Sequence, residues 1–211
     1  MQYVMLRCYS PGTLAPAKFG KKMGKFGFDD ALMGQAANLL SRSQDWKRYI
    51  RTIEEEIPTH SLRETQDNLW PGLFMAAKRL QEQAATVEGT HDRTRRACRK
   101  AVEEYSDAED EATPNAALLV LLQQITHLVE NTGLEWVLNR THFLAKFGGE
   151  RKYNAYTDGV LRSIKHSDVF SIVETKRTMR DRSKPAIIAQ EACELVAWLM
   201  TSPNLACFND Q

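Results

Sequence analysis

Three charged residues in the last third of the chain have the types and order that phosphodiester chemistry uses: Asp158 in the run TDG, then Glu174 and Lys176 in VETK. Successive side chains of a strand point to opposite faces, so Glu174 and Lys176 share one face and Thr175 takes the other. Asp158, in the preceding strand of an antiparallel pair, is expected beside Glu174, with Gly159 permitting close approach of a backbone or a ligand. Carboxylates so placed hold a hard divalent cation such as Mg²⁺ or Mn²⁺. A neighbouring lysine orients or helps deprotonate the attacking water and stabilises the charge that develops on the phosphate. The same three residues also make an ordinary cross-strand salt-bridge ladder with no chemistry.

The elements that must position these residues follow from pattern. Thr113 and Pro114 supply an N-cap and first-turn pair for a helix whose Leu118, Leu121, Leu122, Ile125, Leu128 and Val129 fall on one face, ended by Asn131 and Gly133. Leu134 to Phe147 and Tyr153 to Ile164 read as the two strands of a hairpin across Gly148 and Gly149, and Val169 to Lys176 as a third strand. A helix from about Pro185 to Met200 carries a stripe of Ile188, Ala192, Leu195 and Leu199. The order is helix, strand, strand, strand, helix, an α+β arrangement over residues 114–211.

Upstream, residues 1–28 form a basic leader rich in glycine, with Lys18, Lys21, Lys22 and Lys25. Residues 29–105 read as helical, with segments Asp29 to Arg42, Gln44 to Glu56, Pro71 to Val87 and Asp92 to Tyr105. The third carries Leu73, Ala76, Ala77, Leu80 and Ala84 as a stripe, and the last is crowded by Arg93, Arg95, Arg96, Arg99 and Lys100. The acidic stretch 106–113, SDAEDEAT, reads as a linker.

Bulk properties narrow the function classes. With 211 residues, 43% of them hydrophobic, the chain can bury a substantial core. Its 28 Lys and Arg against 27 Asp and Glu leave a net charge of +1, so any surface for a polyanion must be a local patch. Four scattered cysteines offer no zinc or redox pair, and no apolar run reaches membrane-spanning length. No membrane partner is expected, and intracellular residence, nuclear or cytoplasmic, is. His127, His142 and His166 lack metal-pair spacing and accompany no nucleophile motif, which argues against a Ser-His-Asp hydrolase.

The ordered set of TDG, sixteen residues from Asp158 to Glu174, ETK, and then Gln190 and Glu191 on the following helix resembles the PD-(D/E)XK nuclease superfamily. It is most similar to that superfamily's uncharacterised fungal members. The resemblance covers roughly Pro114 to Met200 and implies a restriction-endonuclease-like α-β-β-β-α core. It implies Asp158 and Glu174 as ligands of Mg²⁺ or Mn²⁺, the Thr175 carbonyl as a third, and Lys176 as the catalytic lysine. Gln190 would face the site and orient Lys176 or a phosphate. A further acid from the preceding helix is implied, for which Glu130 stands first and Glu135 second.

On this reading Arg177, Arg180, Arg182 and Lys184 are phosphate contacts, and otherwise an exposed loop. Tyr153, Tyr156 and Trp198 are the aromatics available to stack on bases, with burial the commoner fate of such rings. Family cores continue into another strand after the Gln-bearing helix, and only a poor candidate, Leu205 to Phe208, follows here, so the last strand is expected to be lacking. Two functions follow: a magnesium-dependent hydrolase cutting DNA, or a catalytically degenerate module that binds nucleic acid or a protein partner.

Overall fold

The computed structural model describes residues 29–63, 69–85, 111–148, 151–175 and 184–201. The expected leader, the basic helix over 92–105, most of the acidic linker and the run 176–183 lie outside them, as does Leu205 to Phe208. The chain is mixed α+β, with helices followed by small antiparallel sheets.

Helices α1 (Asp30–Arg42) and α2 (Gln44–Glu54) start where short polar side chains take up orphan backbone N–H groups. The Asp29 carboxylate accepts from Leu32 N at 2.7 Å, and Ser43 Oγ from Trp46 N at 3.1 Å. Pro71 opens a 3₁₀ turn, Gly72–Phe74, so α3 begins only at Met75 and runs to Ala85. Leu73 therefore falls off the expected stripe and is exposed, while Ala77 and Phe74 are buried. Trp46, Tyr49 and Phe74 pack edge and face with centroids 5.2 to 5.6 Å apart. Burial raises the pKa of the Tyr49 hydroxyl, against a smaller opposing effect of its hydrogen bond with Gln81.

Helix α4 (Ala112–His127) starts two residues before Pro114, so Ala112 and Thr113 of the expected linker are helical. Glu111 stands at the N-cap with no side-chain bond, and Pro114 sits in the first turn, where its missing N–H costs nothing. α3 packs along α4, and α4 also packs on the sheet. That double burial explains why Ala117 and Leu119, outside the expected single stripe, are its most buried residues. Asn131 and Gly133 take left-handed conformations in the turn that follows, as their types favour.

Each arm of the expected hairpin is broken once. The first becomes β1 (Leu134–Val137) and β2 (Thr141–Lys146), the second β3 (Lys152–Thr157) and β4 (Gly159–Ser163). β1 pairs with β4 and β2 with β3, both antiparallel, so the two ladders lie along the same two chain segments. Between the pairs Val137–Val160 and Thr141–Thr157, four residue steps on one arm meet three on the other. The extra residue kinks the hairpin as a bulge does, and Asp158 sits opposite the kink. β5 (Val169–Val173) pairs with β4, giving a three-stranded sheet β1-β4-β5 beside the two-stranded β2-β3.

Helix α5 (Lys184–Thr201) packs on β2 and β3. Phe143, Ala145, Ala155, Val160 and Ala197 form the core between them. The buried face of α5 is only partly the expected stripe: Ala192 of that stripe is buried, together with Ile187, Glu194 and Ala197, while Leu195 is exposed. The reason is polar, since Gln190, Glu194 and Thr201 all find hydrogen-bond partners on that face.

Gly159 serves packing. A Cβ there would meet both Leu119 methyls at 2.7 Å and the Val137 carbonyl oxygen at 3.1 Å. The close approach at this glycine is made by Leu119 of α4 and the Val137 backbone. Gly159→Ala is expected to cost about 1–3 kcal/mol through overpacking. In urea denaturation, Gly159→Ala with Leu119→Ala should lose less than the two single changes together.

Candidate functional site

Asp158 lies in the bend between β3 and β4, where every polar group but one is tied into a neighbouring element. Its backbone N–H donates to the Val173 carbonyl at 3.0 Å, carrying the β4–β5 pairing one step past the sheet. Its carbonyl accepts from Asn115 Nδ2 at 3.0 Å, which joins the bend to the first turn of α4. Carboxylate oxygen Oδ2 accepts from Thr175 N at 3.0 Å and Thr175 Oγ1 at 3.1 Å. The remaining oxygen, Oδ1, faces Arg140 Nε at 3.9 Å, a loose pairing with a guanidinium that is 73% exposed. Such a pair is worth little and is easily displaced.

Glu174 and Thr175 lie beyond the end of β5, which stops at Val173. Strict alternation therefore does not govern them. Thr175, not Glu174, reaches the Asp158 carboxylate, and it is 8% exposed. Glu174 turns to α5, where Gln190 Nε2 donates to its Oε1 at 2.5 Å. The same nitrogen donates to Oε1 of Glu194, a buried carboxylate, at 2.7 Å. Gln190 thus faces the site from its helix as expected, but its contact is with Glu174. Asp158, Glu174, Thr175 and Gln190 come together at one end of the three-stranded sheet. Lys176, Arg177, Arg180 and Arg182 lie outside the described residues, and so does the Lys184 side chain.

The acids expected from the preceding helix are elsewhere. Glu130 follows the C-terminal end of α4 and lines a cleft with His127, Glu135 and Ile164. That cleft is at the Ser163 end of β4, four residues or about 13 Å along the strand from Gly159 at 3.3 Å per residue. Glu135 is bound across the strands by Arg162, whose Nε and Nη2 donate to one carboxylate oxygen at 2.9 and 2.7 Å. The α4 side chain present at Asp158 is Asn115 instead.

Among the described residues, no group of three or more His, Cys, Asp or Glu is arranged to hold a metal. The donors at hand are nonetheless all oxygens. Besides Asp158 Oδ1 and the Glu174 carboxylate, Asn115 Oδ1 is buried with no hydrogen-bond partner among the described residues. Hard oxygen donors of this number suit Mg²⁺ or Mn²⁺, which keep several waters and take only one or two carboxylates from the protein.

Sequence reasoning misses Asn115, Arg140 and Glu194. Glu194 is within its reach, because it lies four residues after Gln190 on the same helix face. Asn115 and Arg140 depend on the kink and on helix docking, for which the sequence carries no local signal.

No family model matches the chain, and no curated protein or solved structure proves similar to it. Among the described residues no helix is long and apolar enough to cross a membrane.

The Asp158–Thr175 contact is directly testable. Thr175→Val keeps the volume and the backbone bond but removes the hydroxyl donor to a carboxylate. It should cost about 1–2 kcal/mol in urea denaturation, and the change should be near zero in an Asp158→Ala background.

Proposed function

We propose that the chain is a metal-dependent nuclease with a restriction-endonuclease-like core, hydrolysing DNA phosphodiester bonds by the PD-(D/E)XK mechanism. The observation that carries this reading is the meeting of Asp158, Glu174, Thr175 and Gln190 at one sheet end, immediately before Lys176 in the chain. The bonds from Thr175 fix one oxygen of Asp158 and leave Oδ1 directed away with only the loose Arg140 pairing. Gln190 holds the Glu174 carboxylate without neutralising it, since an amide donates hydrogen bonds but carries no charge.

Asp158 and Glu174, with the Thr175 carbonyl, would hold Mg²⁺ or Mn²⁺. The ion, when bound, supplies charge neutralisation at the phosphate and lowers the pKa of a coordinated water. Lys176 would orient the attacking water and balance the charge that grows on the phosphate oxygens. Arg177, Arg180, Arg182 and Lys184 contact the backbone phosphates beside the scissile bond.

A second reading is the degenerate module that binds nucleic acid without cutting it. It is favoured by the position of Glu130, at the far end of β4 from Asp158.

Cleavage of labelled single- and double-stranded DNA with Mg²⁺ or Mn²⁺ separates the two. The hydrolase reading expects metal-dependent strand loss, reduced at least about 100-fold in Asp158→Ala and in Lys176→Ala, the range typical of losing one catalytic group. Unchanged cleavage in both variants, or DNA binding with no cleavage by the parent chain, overturns it.

A further inference from the structure

Charge is not spread evenly over this nearly neutral chain. From Leu138 to Thr157 the sequence has four cations, Arg140, Lys146, Arg151 and Lys152, against one acid, Glu150 at the turn, a local balance of +3. All four cations are exposed, and Glu150 lies outside the described residues. The β2–β3 register then sorts the side chains by face. Phe143 and Ala155 are buried beneath α5, and Ala145 with Tyr153 continues that inner side. The outer side carries the pairs Lys146–Lys152, Leu144–Asn154 and His142–Tyr156.

The aromatics divide in the same way. Tyr153 donates its hydroxyl to the Cys193 carbonyl at 2.8 Å, and Trp198 packs against the core. Tyr156 is 50% exposed and tilts against the His142 ring at 5.1 Å, while His142 shares a 2.8 Å hydrogen bond with Asn154. One face thus has cations at its turn end and a ring pair at the other, where Tyr156 is two residues from Asp158.

We infer that the outer face of the β2–β3 hairpin binds a nucleic-acid strand and leads it into the Asp158 site. The inference rests on the reading of nucleic acid as substrate, but it adds a surface that the basic run after Glu174 does not include. From Lys152 to Asp158 the face runs about 20 Å at 3.3 Å per residue, long enough for several nucleotides. Lys146 and Lys152 meet phosphates, which sets affinity and its salt dependence. His142 and Tyr156 offer a stacking platform for a base next to the scissile position. Arg140, loosely held at Asp158, is the cation that passes the backbone to the site.

The test is binding without metal, in EDTA, so that it does not depend on cleavage. The full chain is titrated into a short fluorescent single-stranded oligonucleotide at several salt concentrations and followed by anisotropy, with circular dichroism to check folding. Lys146→Glu with Lys152→Glu should weaken binding at least tenfold and flatten the slope of log affinity against log salt by about 1.4, at roughly 0.7 for each of two phosphates no longer neutralised. Lys146→Arg with Lys152→Arg should bind as the parent does, as should Lys165→Glu, an exposed reversal beyond the far end of the sheet. Tyr156→Ala should weaken binding by roughly tenfold, the loss of one base stack.

Equal binding by the parent chain and the doubly reversed variant overturns the inference, whatever Asp158→Ala does to cleavage. No binding by the folded parent overturns it too, as does a reversal that abolishes binding to phosphatidylserine vesicles and spares the oligonucleotide. If the hairpin variants lose binding while the parent never cleaves, the surface stands and hydrolysis falls.

Discussion

A buried bend in a β-hairpin leaves backbone groups that no ladder satisfies, and each such group costs free energy unless something else meets it. Here one residue meets that demand. Where the hairpin kinks, Asp158 gives its N–H to β5, its carbonyl receives Asn115 of α4, and its carboxylate receives the backbone and hydroxyl of Thr175. Two strands, the start of a helix and the chain leaving β5 are joined through it. The kink also permits two helices to cover one hairpin. α4 lies along the three-stranded part, with Leu119 pressed on Gly159 and Gln123 accepting the Trp136 N–H at 2.7 Å, while α5 covers the two-stranded part. The candidate site lies where the two parts meet because that is where the ladder is interrupted.

The second organising contact is Gln190 between two carboxylates. An amide nitrogen has two hydrogens, and both are used, one on Glu174 and one on the buried Glu194. The arrangement fixes both side chains against one amide. A core builder seeking only stability would place apolar residues here, since buried charges seldom contribute net stability. α5 instead turns its polar residues toward the sheet and exposes Leu195, a choice that positions charge at the expense of apolar burial.

Much of this is legible in the sequence because it is local. The helix, three extended runs and helix after residue 111 fall where periodicity and turn residues put them, and the pairing of the two hairpin arms follows from their spacing. What is not legible is what depends on interruption and docking. Pattern alone carries continuous strands across Leu138–Arg140 and Asp158, since neither segment contains a residue that forbids extension. Alternation puts Glu174 against Asp158, but the strand ends at Val173 and Thr175 makes the contact. Glu130 is the acid nearest the end of α4, and it lies past the helix at the far end of the sheet from Asp158. The α5 stripe holds only in part, Ala192 being buried and Leu195 exposed, for a related reason: hydrophobic periodicity finds the apolar face, and the buried face here is partly polar.

The same local reading explains why composition is uninformative about partners. A net charge of +1 averages an acidic stretch over 106–113 with cations gathered elsewhere, so it describes no surface the protein presents. Register turns the average into a pattern. Between Thr141 and Thr157 the described residues contain no carboxylate, and alternation sends Lys146 and Lys152 to the same side as Tyr156. Carboxylates reappear at Asp158, with Glu174 and Glu194 nearby on α5's side of the bend. At a Debye length of about 8 Å, cations some 20 Å away at the turn do little to neutralise those acids. The cations at the turn and the carboxylates about Asp158 are therefore screened from one another. The kink thereby separates the cations at the hairpin turn from the carboxylates gathered about Asp158.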